Sequence, residues 1–253
     1  MVEVVPAIGT QMKTRSRIAV AACSILWLLI TTACGGSGRD GNALSAPTLP
    51  SESVTFDLLD GSVLAMTAPV GALGTGTTSH TVVSHGDIVV TVETGDKSFG
   101  TGWLAEISES QTEPYWGGEL ISGMLNGPRA LIWIGNAHSL LLAYDSISPE
   151  DARALLDSLD LFEDADGIVA KSRVGMHGTT VTVPLTGGAM LELSPNEGPA
   201  NKELRVEQGS DGEVTAIFVA YPTANAAVYV PPAGGGAALV DLVENIDVRW
   251  DSN

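Results

Sequence analysis

Cysteine is nearly absent: the 253-residue chain holds two. Two cysteines frame neither a disulfide scaffold nor a thiolate zinc site. Basic residues are scarce as well, with 12 Lys+Arg against 30 Asp+Glu and a formal net charge of −18. Binding nucleic acid requires clustered Lys and Arg to neutralise phosphates, so that class of partner is excluded. Charged residues make up only 17% of the chain and aromatic ones 5%, yet 44% is apolar. Such a composition builds a core and is not that of a disordered chain. Catalytic and phosphate-binding motifs are missing too. The part expected to fold holds no G-x-S-x-G elbow, the chain no S-x-x-K, and the loop GALGTGTTS (71–79) lacks the Lys of a P-loop. No cofactor is expected.

What the chain does have begins at its N-terminus. Lys13, Arg15 and Arg17 precede an apolar run, Ile18 to Ala33, which opens into GGSGRDGN. A basic flank, a short apolar stretch and small residues at its end form a secretory signal; the stretch is shorter than the ~20 residues of a membrane span. Met12, directly before Lys13, is an alternative start. Thr31-Thr32-Ala33-Cys34 closes the run and resembles the lipobox of bacterial lipoproteins, with Thr31 where that family usually has Leu. The resemblance covers about twenty residues. It implies a diacylglyceryl group on the Cys34 sulfur, palmitate-type acylation, and cleavage that makes Cys34 the first residue. It also implies attachment to the outer, extracytoplasmic face of the cell membrane. Removing residues 1–33 takes away Glu3 and three basic residues, which leaves 29 acids against 9 bases, or −20. A body so charged is repelled by anionic headgroups and stands off the membrane on its lipid.

Residues 34–53, rich in Gly, Ser and Pro, read as the lipidated Cys and a flexible tether. Beyond them the chain resembles two copies of one plan. VTFDLLDGSVLAMTA (54–68) aligns on VTVPLTGGAMLELSP (181–195), each alternating about a turn, Asp60-Gly61 or Gly187-Gly188. Those dipeptides supply the positive φ of a tight β-hairpin. Residues 130–161 align on 217–248, a strand pair followed by a helix. Ala152, Leu155, Leu156 and Leu159 fall at i, i+3, i+4 and i+7, and so do Leu239, Leu242, Val243 and Ile246. That spacing lays one apolar stripe along each helix. Ser148, Pro149 and Asp151 mark the first helix start. These features predict an α+β fold, with antiparallel sheets each covered by an amphipathic helix, in two weakly similar lobes at 54–167 and 168–253. The first lobe carries an insertion, 69–129.

The insertion is where recognition is expected. It holds Trp103, Tyr115, Trp116, Leu120 and Met124, and the segment 113–127 reads as a short amphipathic turn lining an apolar groove. The four histidines show no metal-ligand spacing, and no metal is expected. The acidic run 160–167 brushes an EF-hand loop but has Phe162 and Arg173 where the end ligands belong; it reads as a linker. The reading preferred is a non-catalytic lipoprotein, bound to the membrane through its lipid and presenting a surface to an envelope protein or a hydrophobic ligand. A lipid carrier is one rival and requires an internal apolar cavity. An extracytoplasmic hydrolase is the other, and requires His138 or another histidine to meet a carboxylate and a hydroxyl in one cleft.

Overall fold

Period-two alternation puts most of the described residues into strands. A computed structural model describes residues 50–172, 175–231 and 235–252. The signal, Cys34 and residues 35–49 of the tether lie outside the described residues. Strand β1 (Ser51–Asp57) pairs with β2 (Val63–Pro69), and β3 (Thr78–His85) with β4 (Ile88–Asp96). Helix α1 (Lys97–Trp103) leads to β5 (Ile107–Tyr115), β6 (Gly118–Leu125), β7 (Arg129–Ile134) and β8 (His138–Tyr144). Then come α2 (Pro149–Leu159) and the short strands β9 (Leu161–Glu163) and β10 (Ile168–Ala170). Five strands follow: β11 (Met176–Pro184), β12 (Met190–Pro195), β13 (Glu203–Gln208), β14 (Val214–Ala220) and β15 (Ala224–Tyr229). Helix α3 (Gly236–Glu244) and β16 (Asp247–Asp251) close the described chain.

The α+β expectation is corrected. Among the described residues 55% are strand and 14% helix, a mainly β architecture. Eleven strands form one antiparallel sheet in the order β13-β14-β15-β12-β11-β3-β4-β8-β7-β6-β5. The reason helices do not cover it is one of size. Strands spaced ~4.8 Å apart make such a sheet ~48 Å wide, whereas an 11-residue helix such as α2 is ~16 Å long. A second sheet, β1-β2-β16, supplies the missing cover. Leu64 and Met66 of β2 and Val248 and Trp250 of β16 join β11, β12, β14, β15 and α3 in one core. A separate core lies under β3 to β8, where α2 contributes Ala152, Leu155, Leu156 and Leu159, each 1% exposed or less. A third cluster, on the outer face of β6 to β8, packs against Phe99 and Trp103 of α1.

The two expected lobes share this sheet, because β3 pairs with β11. The position expected to divide them, 167/168, falls between β9 and β10, which pair with each other. The hairpin at 54–68 forms, but its second strand pairs with the C-terminal β16, and pairing already begins at Ser51. The segment taken as an insertion supplies β3 to β6 of the main sheet. Within it, 113–127 is a β-hairpin and not an amphipathic turn: Trp116 (φ 45°) and Gly117 (φ 75°) form its two-residue bend. Leu120 and Ile121 are adjacent and both buried, in cores on opposite faces. Two-sided burial of that kind hides the alternation that marks a strand. The acidic run is no linker either. It forms β9 and a turn in which Asp164 Oδ1 accepts the N–H groups of Asp166 and Gly167 (2.9 and 3.1 Å).

Helix α2 starts as its sequence predicts: Ser148 Oγ accepts the Asp151 N–H at 3.0 Å, with Pro149 in the first turn. Helix α3 has no side-chain cap at its start, but its other end is held. Lys202 Nζ donates to the carbonyls of Val243, Glu244 and Ile246 at 2.8, 2.8 and 2.6 Å. Among the described residues no helix is long and apolar enough to cross a membrane.

Leu156→Ala is expected to lower stability by about 2–5 kcal/mol, the cost of an unfilled space in a packed core. Val89→Ala, on the exposed side of β4, should stay within about 0.5 kcal/mol of wild type. Denaturant melts of the two variants check this, and equal losses would show that α2 is not packed.

Candidate functional site

The two interior cores meet beneath β3, β4 and β11, and the side chains there are small and polar. Ser79, Thr81, Thr94 and Thr179 are all buried. Ser79 Oγ and Thr94 Oγ1 share a hydrogen bond of 2.6 Å, and Thr81 Oγ1 and Thr179 Oγ1 one of 3.1 Å. Thr179 Oγ1 also donates to Asp60 Oδ2 at 2.6 Å. Asp60 Oδ1 in turn accepts from the backbone N–H and hydroxyl of Ser62. Every buried hydroxyl in this seam thus has a partner, as burial demands. Ser and Thr fill less space than the Leu and Ile on either side, and beside the seam a cavity of about 290 Å³ remains.

Apolar residues contribute Val54, Phe56, Leu58, Leu73, Ile168 and Val181 to its wall. Ser79, Thr94 and the loop 73–78 add hydroxyls, and Asp57, Asp96, Asp166 and His138 add charge or a titratable ring. Six separate stretches of chain therefore converge: the end of β1, the loop before β3, the end of β4, the start of β8, the β9–β10 turn and Val181 of β11. That turn is pressed against β1. Asp57 N donates to the Asp166 carbonyl at 3.2 Å, and a Cβ on Gly167 would come 2.1 Å from the Asp57 carbonyl oxygen. Only glycine fits there.

Two carboxyls around the cavity are in opposite electrostatic situations. Glu163, on β9, accepts the backbone N–H groups of Asn136, Ala137 and His138 at 2.9, 2.8 and 2.8 Å. Burial by itself would raise its carboxyl, but these three donors and the His138 ring outweigh it and hold it below the usual carboxylate range. Among the described residues Asp57 has no such donors. Burial first, then the Asp164 carboxylate and the charge of Asp166, push it above that range. The His138 ring sits between the cavity and Glu163, with Nδ1 at 3.5 Å from Glu163 Oε1. At that separation Nδ1 is buried without a hydrogen-bond partner. The hydrolase rival needed a histidine, a carboxylate and a hydroxyl in one cleft. His138 meets the carboxylate, whereas the Ser79 and Thr94 hydroxyls bond each other.

Of the residues expected to form a recognition surface, Tyr115, Trp116, Leu120 and Met124 lie on one side of the sheet and Trp103 on the other. Trp103 packs edge-on against Phe99 (6.3 Å between ring centres) on the outer face of the sheet. Leu120 is 1% exposed in the interior core. Tyr115 and Trp116 stack at the β5–β6 bend, their rings 4.3 Å apart. Tyr115 is tied to α2: its hydroxyl donates to Asp157 Oδ1 at 2.5 Å, and the Arg153 guanidinium lies 4.2 Å over its ring. Burial and then Asp157 push its phenol well above the ordinary value. Arg153 also pairs with Glu113 and Asp157. The aromatic pair is therefore a clasp holding the hairpin to α2. Met124 and Leu120 line a separate groove of about 400 Å³ with Arg129, Tyr144 and Arg153.

Sequence reasoning passed over Glu163, Asp57 and the seam threonines. The one available signal was a carboxylate set among apolar residues in Leu161-Phe162-Glu163. Among the described residues no three His, Cys, Asp or Glu side chains stand so as to hold a metal ion. No family model matches the chain, and neither a curated protein nor a solved structure matches it.

Glu163→Gln is expected to cost about 1–3 kcal/mol at pH 7, the range for hydrogen bonds to a charged acceptor. Because the folded carboxyl lies below its unfolded value, its contribution is complete above about pH 4.3 and is lost as pH falls through the folded value. Denaturant melts of variant and wild type at pH 7, 5 and 3 should therefore converge toward acid. A gap that stays constant would show that the charge on Glu163 contributes nothing.

Proposed function

We propose that the chain is a lipid-anchored extracytoplasmic protein, held at the outer face of the cell membrane through Cys34, whose β body binds a small ligand in the seam cavity. The observation that carries the binding role is that cavity. It opens beside the buried hydroxyl seam, with an apolar wall, partnered hydroxyls and carboxylates drawn from six stretches of chain. Its volume of about 290 Å³ is at the lower end of small-molecule sites, roughly 300–1,000 Å³. A diacyl lipid as cargo needs far more room, which favours a small ligand over the lipid-carrier reading. Anchoring is supported by Thr31-Thr32-Ala33-Cys34 at the end of the apolar run. The mature charge of −20 (29 acids, 9 bases) keeps the body away from anionic headgroups.

The expected outcome is that full-length chain from its own host's membranes enters the detergent phase with acyl mass on the peptide bearing Cys34, while Cys34→Ala stays aqueous. Native mass spectrometry of the same preparation should show an added small-molecule mass. Aqueous partition of the wild type removes the anchor, and an added mass equal to a phospholipid reinstates the carrier.

A further inference from the structure

The seam cavity also indicates the chemical class of its occupant. We infer that it takes a small organic cation, a protonated amine carried on an apolar body; this rests on the binding reading above. Every fixed charge in the wall is negative: Asp57, Asp96 and Asp166 line it, and no Lys or Arg does. One of the three is already in use. Asp96 Oδ1 accepts the Phe99 N–H at 3.0 Å and the Ser98 hydroxyl at 2.6 Å, which caps α1. Asp57 and Asp166 have no ion-pair partner among the described residues, and Asp164 adds a third carboxylate beside Asp57.

Crowded carboxylates of this kind favour a cation and repel an anion. The contrast with Glu163, served by three backbone donors, marks the Asp57–Asp166 side as the unsatisfied one. The rest of the wall decides which cation. Val54, Phe56, Leu58, Leu73, Ile168 and Val181 offer it apolar surface. A hydrated metal ion gains nothing from such a wall, and the acidic groups lack the arrangement of a metal site. An ammonium group on a hydrocarbon or aromatic body uses both parts, with the Thr75 and Thr77 hydroxyls near the mouth as further acceptors.

Three probes with one ring separate the possibilities: benzylammonium, benzyl alcohol and benzoate, titrated calorimetrically into the full-length chain in non-ionic detergent. Benzylammonium should bind and raise the melting temperature, benzyl alcohol should bind at least tenfold more weakly, and benzoate should give no heat. Asp57→Asn should melt at or above the wild-type temperature, since it relieves carboxylate crowding. The same variant should bind benzylammonium at least tenfold more weakly and leave benzyl alcohol unchanged. Thr75→Trp, at an exposed position of the wall, should block both without lowering the melting temperature. Equal affinity for the ammonium and the alcohol would overturn the cationic class and leave a binding cavity. Silence from all three probes would overturn the binding reading with it. Benzylammonium binding unaffected by both variants would place the site elsewhere and overturn the inference.

Discussion

The pairing of β3 with β11 is the contact on which the architecture depends. It joins residues about a hundred positions apart, and it is locked from inside by Thr81, Thr179 and Asp60. Without it there are two half-sheets, each with a core of its own. With it there is one sheet, and two apolar cores are separated by a polar seam. Hydroxyl pairs satisfy each other at small volume, so the seam is stable and incompletely filled. The cavity follows from the way the halves are joined.

The ends of the sheet require a different kind of solution. An eleven-stranded antiparallel sheet presents two open edges, which would recruit further strands. At one edge, β5 has a register shift between Ser108 and Gln111, Glu109 at φ 53°, and Pro114. At the other, β13 shifts register between Glu207 and Gln208 and carries Glu203, Arg205 and Glu207. Bulges, proline and charge stop the pairing at both ends. The strong negative charge of the chain adds mutual repulsion between copies. The same surplus makes uncompensated carboxylates costly, so it matters where they are left. The charge on Glu163 is stabilised by backbone donors, and that on Asp57, at the cavity wall, is not.

Local structure was legible wherever neighbours in sequence are also neighbours in space. The α2 stripe and its Ser148 cap and the hairpins at 54–68 and 181–195 all rest on contacts within a few residues. Legibility failed where burial is two-sided or partners are distant. Leu120 and Ile121 lack alternation because both faces of β6 are covered. Glu163 looked like part of a solvated acidic run because its three donors lie some 26 residues earlier. The apparent repeat misled for a related reason. Similar hairpin–helix stretches end in β9 and β16, and those strands pair with β10 and β2 respectively, so one local pattern serves two different covers.

By itself the sequence determined the class of surface, the local hairpins and the helix stripes, because composition and short-range periodicity are properties of consecutive residues. Tertiary structure alone decided that the halves share one sheet, that β1, β2 and β16 cover it where a helix was expected, and that Asp57, Asp166 and His138 line one cavity. Those outcomes depend on which strand edges find each other across long stretches of chain. Edge pairing is made by backbone N–H and C=O groups that every residue but proline carries alike, so side-chain identity records it only faintly.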